Sequence, residues 1–389
     1  KASFKFYMLI KKTIVVYKEI YNLPELVYKE QVSDDFLQFY KKVHYFVIIS
    51  VYNTKKEILL IRDFNKNVGW EIPGNNIDEN ESIENAIHKV AVKEIGLEID
   101  ELEPIAIVKN FFICGEKMIL HTGIAFIASS RGGGILKFPS NIQSLFTNKV
   151  KIKTAYQNDK IIDLALERIK TKKNEPPYEE IESVSSKKFI SLYNIHKYFI
   201  KLIGNISSRK IRKEIFKTIS GKPKSILDVS CGDSELISTL CKKYKPEICV
   251  GNDISWKSIS LIKNKNLDVV FTNHNILNLP YKKVFDLVIF KNTLHHIDKE
   301  YQVRVINDLK NISKQLIIID VDDPQNSSVF SKIWNIYYRY FLGDQGDSFL
   351  NFLNFKKIIE EKIKNIKYKT EIIKTIKGSY FFASIIKQD

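Results

Sequence analysis

The 389-residue chain has little of what would mark several broad classes. Its four cysteines, Cys114, Cys231, Cys241 and Cys249, form no CxxC pair and no Cys/His group at zinc spacing, which excludes a disulfide framework and a structural zinc site. A reducing, cytoplasmic setting is therefore expected. The most apolar runs, residues 284–290 and 316–319, fall far short of the roughly eighteen to twenty residues a membrane-spanning helix needs. With 15 Gly and 10 Pro, collagen-like and low-complexity chains are excluded. The first 22 residues alternate Lys with short apolar runs and lack a small-residue cleavage site, so no secretion signal is expected, and Met8 is a candidate natural start.

What is present is globular material: 44% hydrophobic and 27% charged residues, in a length that suits two or three domains. The formal charge of +16 is uneven, being +1 over residues 1–150, +9 over 151–250 and +6 over 251–389. An excess of this kind suits an anionic partner or a Lys-rich solvated surface, and the solvated surface is the simpler reading.

The first half reads as strands around one helix. Residues 43–51 and 57–62 form a hairpin across Asn53-Thr54-Lys55, followed by 70–73, a polar loop, and a helix over 82–95 with apolar spacing at Ile83, Ala86, Ile87, Val90 and Ala91, closed by Gly96. Strands are expected at 105–112 and 118–128, and a helix at 156–170. Residues 171–185 contain a Pro-Pro pair, mixed charge and Ser, the composition of a linker between domains at 1–170 and 186–389. Beyond it, strands at 225–229, 248–253, 269–272, 285–290 and 315–320 alternate with helices at 235–243, 257–263 and 300–312, a doubly wound α/β pattern.

In Ser225-Ile-Leu-Asp-Val-Ser-Cys-Gly-Asp-Ser-Glu-Leu236 an apolar strand ends in an acid, a small-residue turn follows and a helix starts at once. That arrangement lets backbone approach a ligand closely and presents amides to it. Asp253 ends the next strand about twenty residues on, where a nucleoside-binding unit places a carboxylate on ribose hydroxyls. Then come Asn275-Ile276-Leu277-Asn278-Leu279-Pro280 and the strand leading to Asn292-Thr293-Leu294-His295-His296. In this order the motifs resemble those of class I S-adenosylmethionine-dependent methyltransferases, with Ser230 and Ser234 where glycine is usual and Asn275 in place of Asp. The resemblance implies a Rossmann-like sheet that binds S-adenosylmethionine through Asp228, Ser230, Gly232, Asp253, Ile254, Asn275, Ile276 and Asn292. It makes His295 and His296 the candidate catalytic residues. Residues 327–355, rich in aromatics such as Trp334, Tyr337, Tyr338 and Tyr340 with Arg339 among them, suit a cover for an aromatic or lipid-like small molecule.

Gly74 to Leu97, preceded by Trp-Glu-Ile-Pro, resembles the Nudix box, which implies an α/β/α sandwich. Glu81 and Glu94 are in register with the box, but Asn75 replaces a glycine, Lys89 the arginine, Val90 the first glutamate of its pair and Lys93 the next carboxylate. Nudix hydrolases hold Mg²⁺ through such carboxylates. With Glu94 alone left on the helix and lysine beside it, Mg²⁺ binding and hydrolysis are not expected. Arg131-Gly132-Gly133-Gly134 reads as a hairpin turn. The leading expectation is a methyltransferase for a small-molecule acceptor with a non-hydrolytic Nudix-like domain for substrate recognition or regulation. One alternative is a nucleic-acid or cap methyltransferase, favoured by Arg209, Lys210, Arg212 and Lys213, although Lys291-Asn292-Thr293-Leu294 is no Asn/Asp-Pro-Pro-Tyr signature. The other is a non-catalytic nucleotide-binding or scaffold protein.

Overall fold

Two sets of short apolar runs, one on each side of the change in composition after residue 170, become two separate sheets. The computed structural model describes residues 2–40, 44–64, 69–78, 81–97, 99–130, 136, 138, 141–148, 159–172, 207–255, 268–323, 332, 348–375 and 378–388. The chain forms two compact units, 1–176 with 273–275 and 280–283, and 177–272 with 276–279 and 284–389. Most of the expected linker 171–185, the expected helix 257–263, the Arg131–Gly134 turn, and Trp334, Tyr337, Tyr338, Arg339 and Tyr340 lie outside the described residues. Among the described residues no helix is long and apolar enough to cross a membrane.

The first unit is built on a mixed sheet in the order β1 (Glu25–Gln31), β5 (Ile99–Cys114), β6 (Lys117–Ser130), β2 (Tyr45–Tyr52), β3 (Ile58–Asp63) and β7 (Ile142–Thr147), with β4 (Gly74–Asn76) paired to β2. One face is packed by α4 (Asp159–Thr171), whose Ile161, Ile162, Ala165, Leu166 and Ile169 meet Ile58, Leu60, Ala106, Val108, Ala125 and Ile127 in one core. Arg168 of that helix donates to buried Glu103 at 2.6 Å, which pairs the carboxylate inside a bulged part of β5. The expected helix 82–95 is α3 (Ile83–His88) running on into a π-helical turn, Lys89–Ile95, capped by Gly96 at φ 80°. Ser82 caps α3 by accepting from the Asn85 amide. The expected stretch 70–73 is reduced to one bridge between Ile61 and Glu71, because Ile72 and Pro73 lead directly into β4. Helix α1 (Ala2–Tyr21), β1, α2 (Asp34–Tyr40) and β7 were not foreseen in the sequence.

The second unit carries a sheet in the order β10 (Val270–Thr272), β9 (Ile248–Asn252), β8 (Ser225–Asp228), β11 (Phe285–Lys291), β12 (Ser313–Val321), β14 (Gly378–Lys387) and β13 (Ile366–Thr375). Strands β8 to β12 run parallel, as the alternation with helices implies. The β13–β14 hairpin joins β12 antiparallel, a departure from a fully parallel doubly wound sheet. Ile211 and Ile215 of the helical residues 207–218, here α5, and Leu236, Ile237 and Leu240 of α6 (Glu235–Tyr244) bury against Ile226, Leu287, Ile289 and Ile317. Further along are α7 (Lys299–Asn311) and α8 (Phe352–Lys362). The outer strand β13 carries Lys367, Lys369 and Lys374.

Gly74 sits opposite Ile48, and a Cβ on it would stand 2.6 Å from the Val47 carbonyl oxygen. The first glycine of the box is thus a condition of strand pairing. Gly74→Ala is expected to destabilise the first unit by about 1–3 kcal/mol, as overpacking against fixed backbone does. Urea unfolding followed by tryptophan fluorescence checks this.

Candidate functional site

Chain order reverses at β8: its successor β9 lies on one side and β11 on the other, so the carboxyl ends of these strands open a crevice where ligands bind in such sheets. The turn from Asp228 to α6 is tacked to both sides of it. Towards β11, the Val229 amide donates to Ile289 O at 3.0 Å and the Ser230 hydroxyl to Lys291 O at 3.2 Å. Towards β9, the Cys231 amide donates to Asn252 O at 2.8 Å and the Gly232 amide to Asp253 Oδ2 at 2.8 Å. Asp253 Oδ1 accepts from the Ser255 amide at 2.9 Å, which sets Ile254 beside the turn.

Two supporting residues escaped sequence reasoning. Buried Asn252 donates to Val229 O at 3.1 Å and accepts the Thr272 hydroxyl at 3.1 Å, tying the turn to β9 and β10. A polar residue closing an apolar strand was its only signal. Gly251 is required because a Cβ would meet the Phe271 ring at 2.9 Å and Cys231 Sγ at 3.1 Å.

Gly232 has φ 49°, and the place its Cβ would take has nothing within 4 Å among the described residues. Ser234, at the other usual glycine position, has φ 62° and makes no capping bond with its side chain, while Asp233 accepts from the Glu235 amide instead. The left-handed conformation explains why glycine is usual there, and a serine bears the strain.

Burial dominates the electrostatics. Asp228 is 2% exposed, and desolvation pushes its carboxyl up to about 7 despite the nearby Lys291 and the Ser230 amide. Asp253 is also raised by desolvation, against the opposing Ser255 and Gly232 amides.

Of the other expected residues, Asn292 follows β11 in a left-handed conformation, φ 55°, its amide donating to Ile319 O at 2.8 Å. Ile276 opens a 3-10 turn whose Leu277 carbonyl accepts from Arg304 at 3.0 Å. Asn275 immediately precedes that turn, in the short segment that follows β10. The two histidines differ. His296 is exposed, whereas His295 is buried with its Nδ1 2.5 Å from Asp320 Oδ1. Asp320 was not among the expected site residues.

In the first unit the residual box is satisfied from within. Asn75 donates to Glu94 Oε1 at 2.6 Å, Lys89 pairs with Asp78 at 2.7 Å, and Glu81 accepts from the Asp78 amide at 3.0 Å. The Asp78 hydrogen bond raises the Lys89 ammonium above its ordinary range. Val90, where the box has a glutamate, is 0% exposed in the core. Among the described residues no group of three or more His, Cys, Asp or Glu is disposed to hold a metal ion.

Residues 226–315 match the methyltransferase domain family model, and residues 42–139 match the NUDIX domain model. No curated protein matches the chain. Among solved structures, the plantazolicin methyltransferase BamL in complex with a triazolic desmethylPZN analog and SAH is similar at 15% identity over 52% of this chain and 90% of that one, with a TM-score of 0.38. N-methyltransferase NodS from Bradyrhizobium japonicum WM9 is similar at 12% over 47% and 97%, TM-score 0.36. The methyltransferase domain of bacterial CtHen1 is similar at 13% over 46% and 99%, TM-score 0.34.

Two outcomes are expected here. Because Asp228 prefers its neutral form when folded, the stability it contributes is complete below its ordinary 3.8 and is lost as pH rises towards about 7. Asp228→Asn removes that loss, so its gain in thermal midpoint over the parent should grow from pH 4 to pH 7 and then level off. Ser234→Gly should gain roughly 0.5–1 kcal/mol in denaturant unfolding, the relieved left-handed strain less the flexibility glycine adds to the unfolded chain.

Proposed function

We propose that this chain, which joins a Nudix domain to a methyltransferase domain, transfers a methyl group from S-adenosylmethionine to a small-molecule acceptor. The observation that carries the reading is the turn 229–234, pinned to both sides of the crevice yet open above Gly232, with the Asp253 carboxylate beside it. The residues present fit the cofactor: an open glycine lets a bulky group approach the backbone, and the buried Asp228 and half-buried Asp253 carboxyls favour a cation. Asp228, Ser230, Gly232, Asp253 and Ile254 would hold it, with Asn292 at the β11 side and Ile276 towards the adenine. When bound, the cofactor supplies a methyl group on a sulfonium, a good leaving group, so alignment supplies much of the rate. The protein's part is to hold that alignment and to receive the proton an acceptor gives up, for which the exposed His296 is the proposed group.

The Nudix domain is proposed to recognise or regulate without hydrolysis. Of the two box carboxylates left, Glu94 accepts from Asn75 and Glu81 from the Asp78 amide, Lys89 pairs with Asp78, and Val90 supplies no carboxylate. Mg²⁺ is accordingly not required by this reading. Free cysteines, three of the four buried, suit a reducing compartment. Exposed Arg209, Lys210 and Lys213 on α5 favour a nucleic-acid acceptor as the second reading, and salt-dependent retention on RNA would select it.

Calorimetric titration with S-adenosylhomocysteine, without Mg²⁺, tests the proposal. Micromolar binding is expected, weakened at least tenfold, about 1.4 kcal/mol, by Asp253→Ala. No binding by the parent chain would leave a two-domain binding protein.

A further inference from the structure

The geometry points to Asp320 as a positioning residue that divides the two histidines: it fixes His295 as a packed plate and leaves His296 as the imidazole that meets the acceptor. This assignment rests on the methyltransferase reading above and deepens it.

The grip on residue 295 has two points. Asp320 Oδ1 lies 2.5 Å from His295 Nδ1, and Oδ2 accepts the His295 amide at 3.1 Å, so one fully buried carboxylate holds both ring and backbone. Oδ1 also accepts the Val321 amide at 2.6 Å, anchoring the carboxylate to its own strand. The His295 carbonyl accepts from the Ser348 amide at 3.0 Å. Buried Gln302 of α7 reaches the carbonyls of Leu294, Ile297 and Ser348 at 2.8–3.1 Å, closing the turn from the other side.

The ring itself is stacked. Phe349 lies parallel to it, with centroids 5.1 Å apart and planes 5° apart, and His296 lies over it at 4.2 Å and 37°. A side chain 4% exposed, clamped at Nδ1 and covered by two rings, is poorly placed to meet an incoming acceptor. His296 is exposed on the 3-10 turn that directly follows β11, at the rim where ligands enter such sheets. Its orientation depends on the plate beneath it, and the plate depends on Asp320. An amide in place of the carboxylate keeps only one of the two accepting oxygens and turns a donor towards the other N–H, so one buried N–H of residue 295 loses its acceptor and the turn should rearrange before the strands do.

The test uses the full chain, diethyl pyrocarbonate as imidazole reagent and S-adenosylhomocysteine as cofactor probe, with modified residues located by peptide mass spectrometry and binding followed by calorimetry. In the parent chain His296 should react, His295 should stay unmodified, and saturating S-adenosylhomocysteine should slow the reaction of His296. Asp320→Asn should make His295 reactive and diminish the protection of His296. His295→Asn removes the plate while keeping an amide donor near the place of Nδ1 and, should the first variant fail to fold, serves in its stead: the protection of His296 should diminish, and a folded His295→Asn chain with His296 still fully protected would overturn the assignment. Equal reactivity of both histidines in the parent, or an Asp320→Asn chain that folds with both reactivities unchanged, would overturn the assignment while leaving the cofactor reading intact. A parent chain that binds no S-adenosylhomocysteine would overturn the cofactor reading and this assignment with it.

Discussion

The turn leaving β8 has to satisfy its amides without filling the space above them, and Asp253 makes the two conditions compatible. Its carboxylate takes the Gly232 amide on one oxygen and the Ser255 amide on the other, so backbone groups that would otherwise lack protein partners are bonded from the side and the glycine stays uncovered. Asn252 does the same for the Val229 carbonyl, and Gly251 keeps its own Cβ out of the way of Phe271. The arrangement gathers acid: Asp228, Asp233 and Asp253 stand near one short turn, and the most buried of them is held close to neutral at ordinary pH. A cation arriving there would relieve a cost that the folded chain already bears.

The first unit reaches a comparable balance by another route. A Nudix box normally concentrates carboxylates whose repulsion a metal ion offsets. Here Lys89 and the Asn75 amide take positions against Asp78 and Glu94, so the repulsion is offset by side chains of the chain itself. Val90 goes into the core, where a carboxylate would have had to be desolvated.

What could be read from sequence followed from how local each determinant is. Strands β8, β9, β11 and β12 were visible because each is an apolar run ended by a polar or charged residue, and α3 because its apolar spacing repeats every three to four residues. The turn 229–234 was legible because a strand, small residues and a helix start occur in a row. Helix α1 was not, since Met8, Leu9 and Val15 put apolar residues on its exposed side as well and blur the period, and β1 has only one buried residue to betray it. The Asp320–His295 contact spans 25 residues and joins two strand ends, so no pattern in either segment announces it. Ser234 adopts a left-handed backbone angle that serine does not signal, whereas asparagine, as at Asn292, is among the residues that visit that region most readily.

The edges of the second sheet bear on what can approach it. At one end β10 offers only three residues for pairing, and at the other β13 presents Lys367, Lys369 and Lys374 along ten, with Glu371 pairing Lys369 at 3.0 Å. A short edge gives a passing strand too little to grip, and a lysine-lined edge repels its own kind. Growth by strand addition is thereby discouraged in both directions, which leaves the carboxyl rim of the parallel strands as the face on which encounters are productive. Since the guard at β13 is electrostatic, it is only as strong as the solution is dilute: salt thins it, and crowding among copies of this chain would be felt there first.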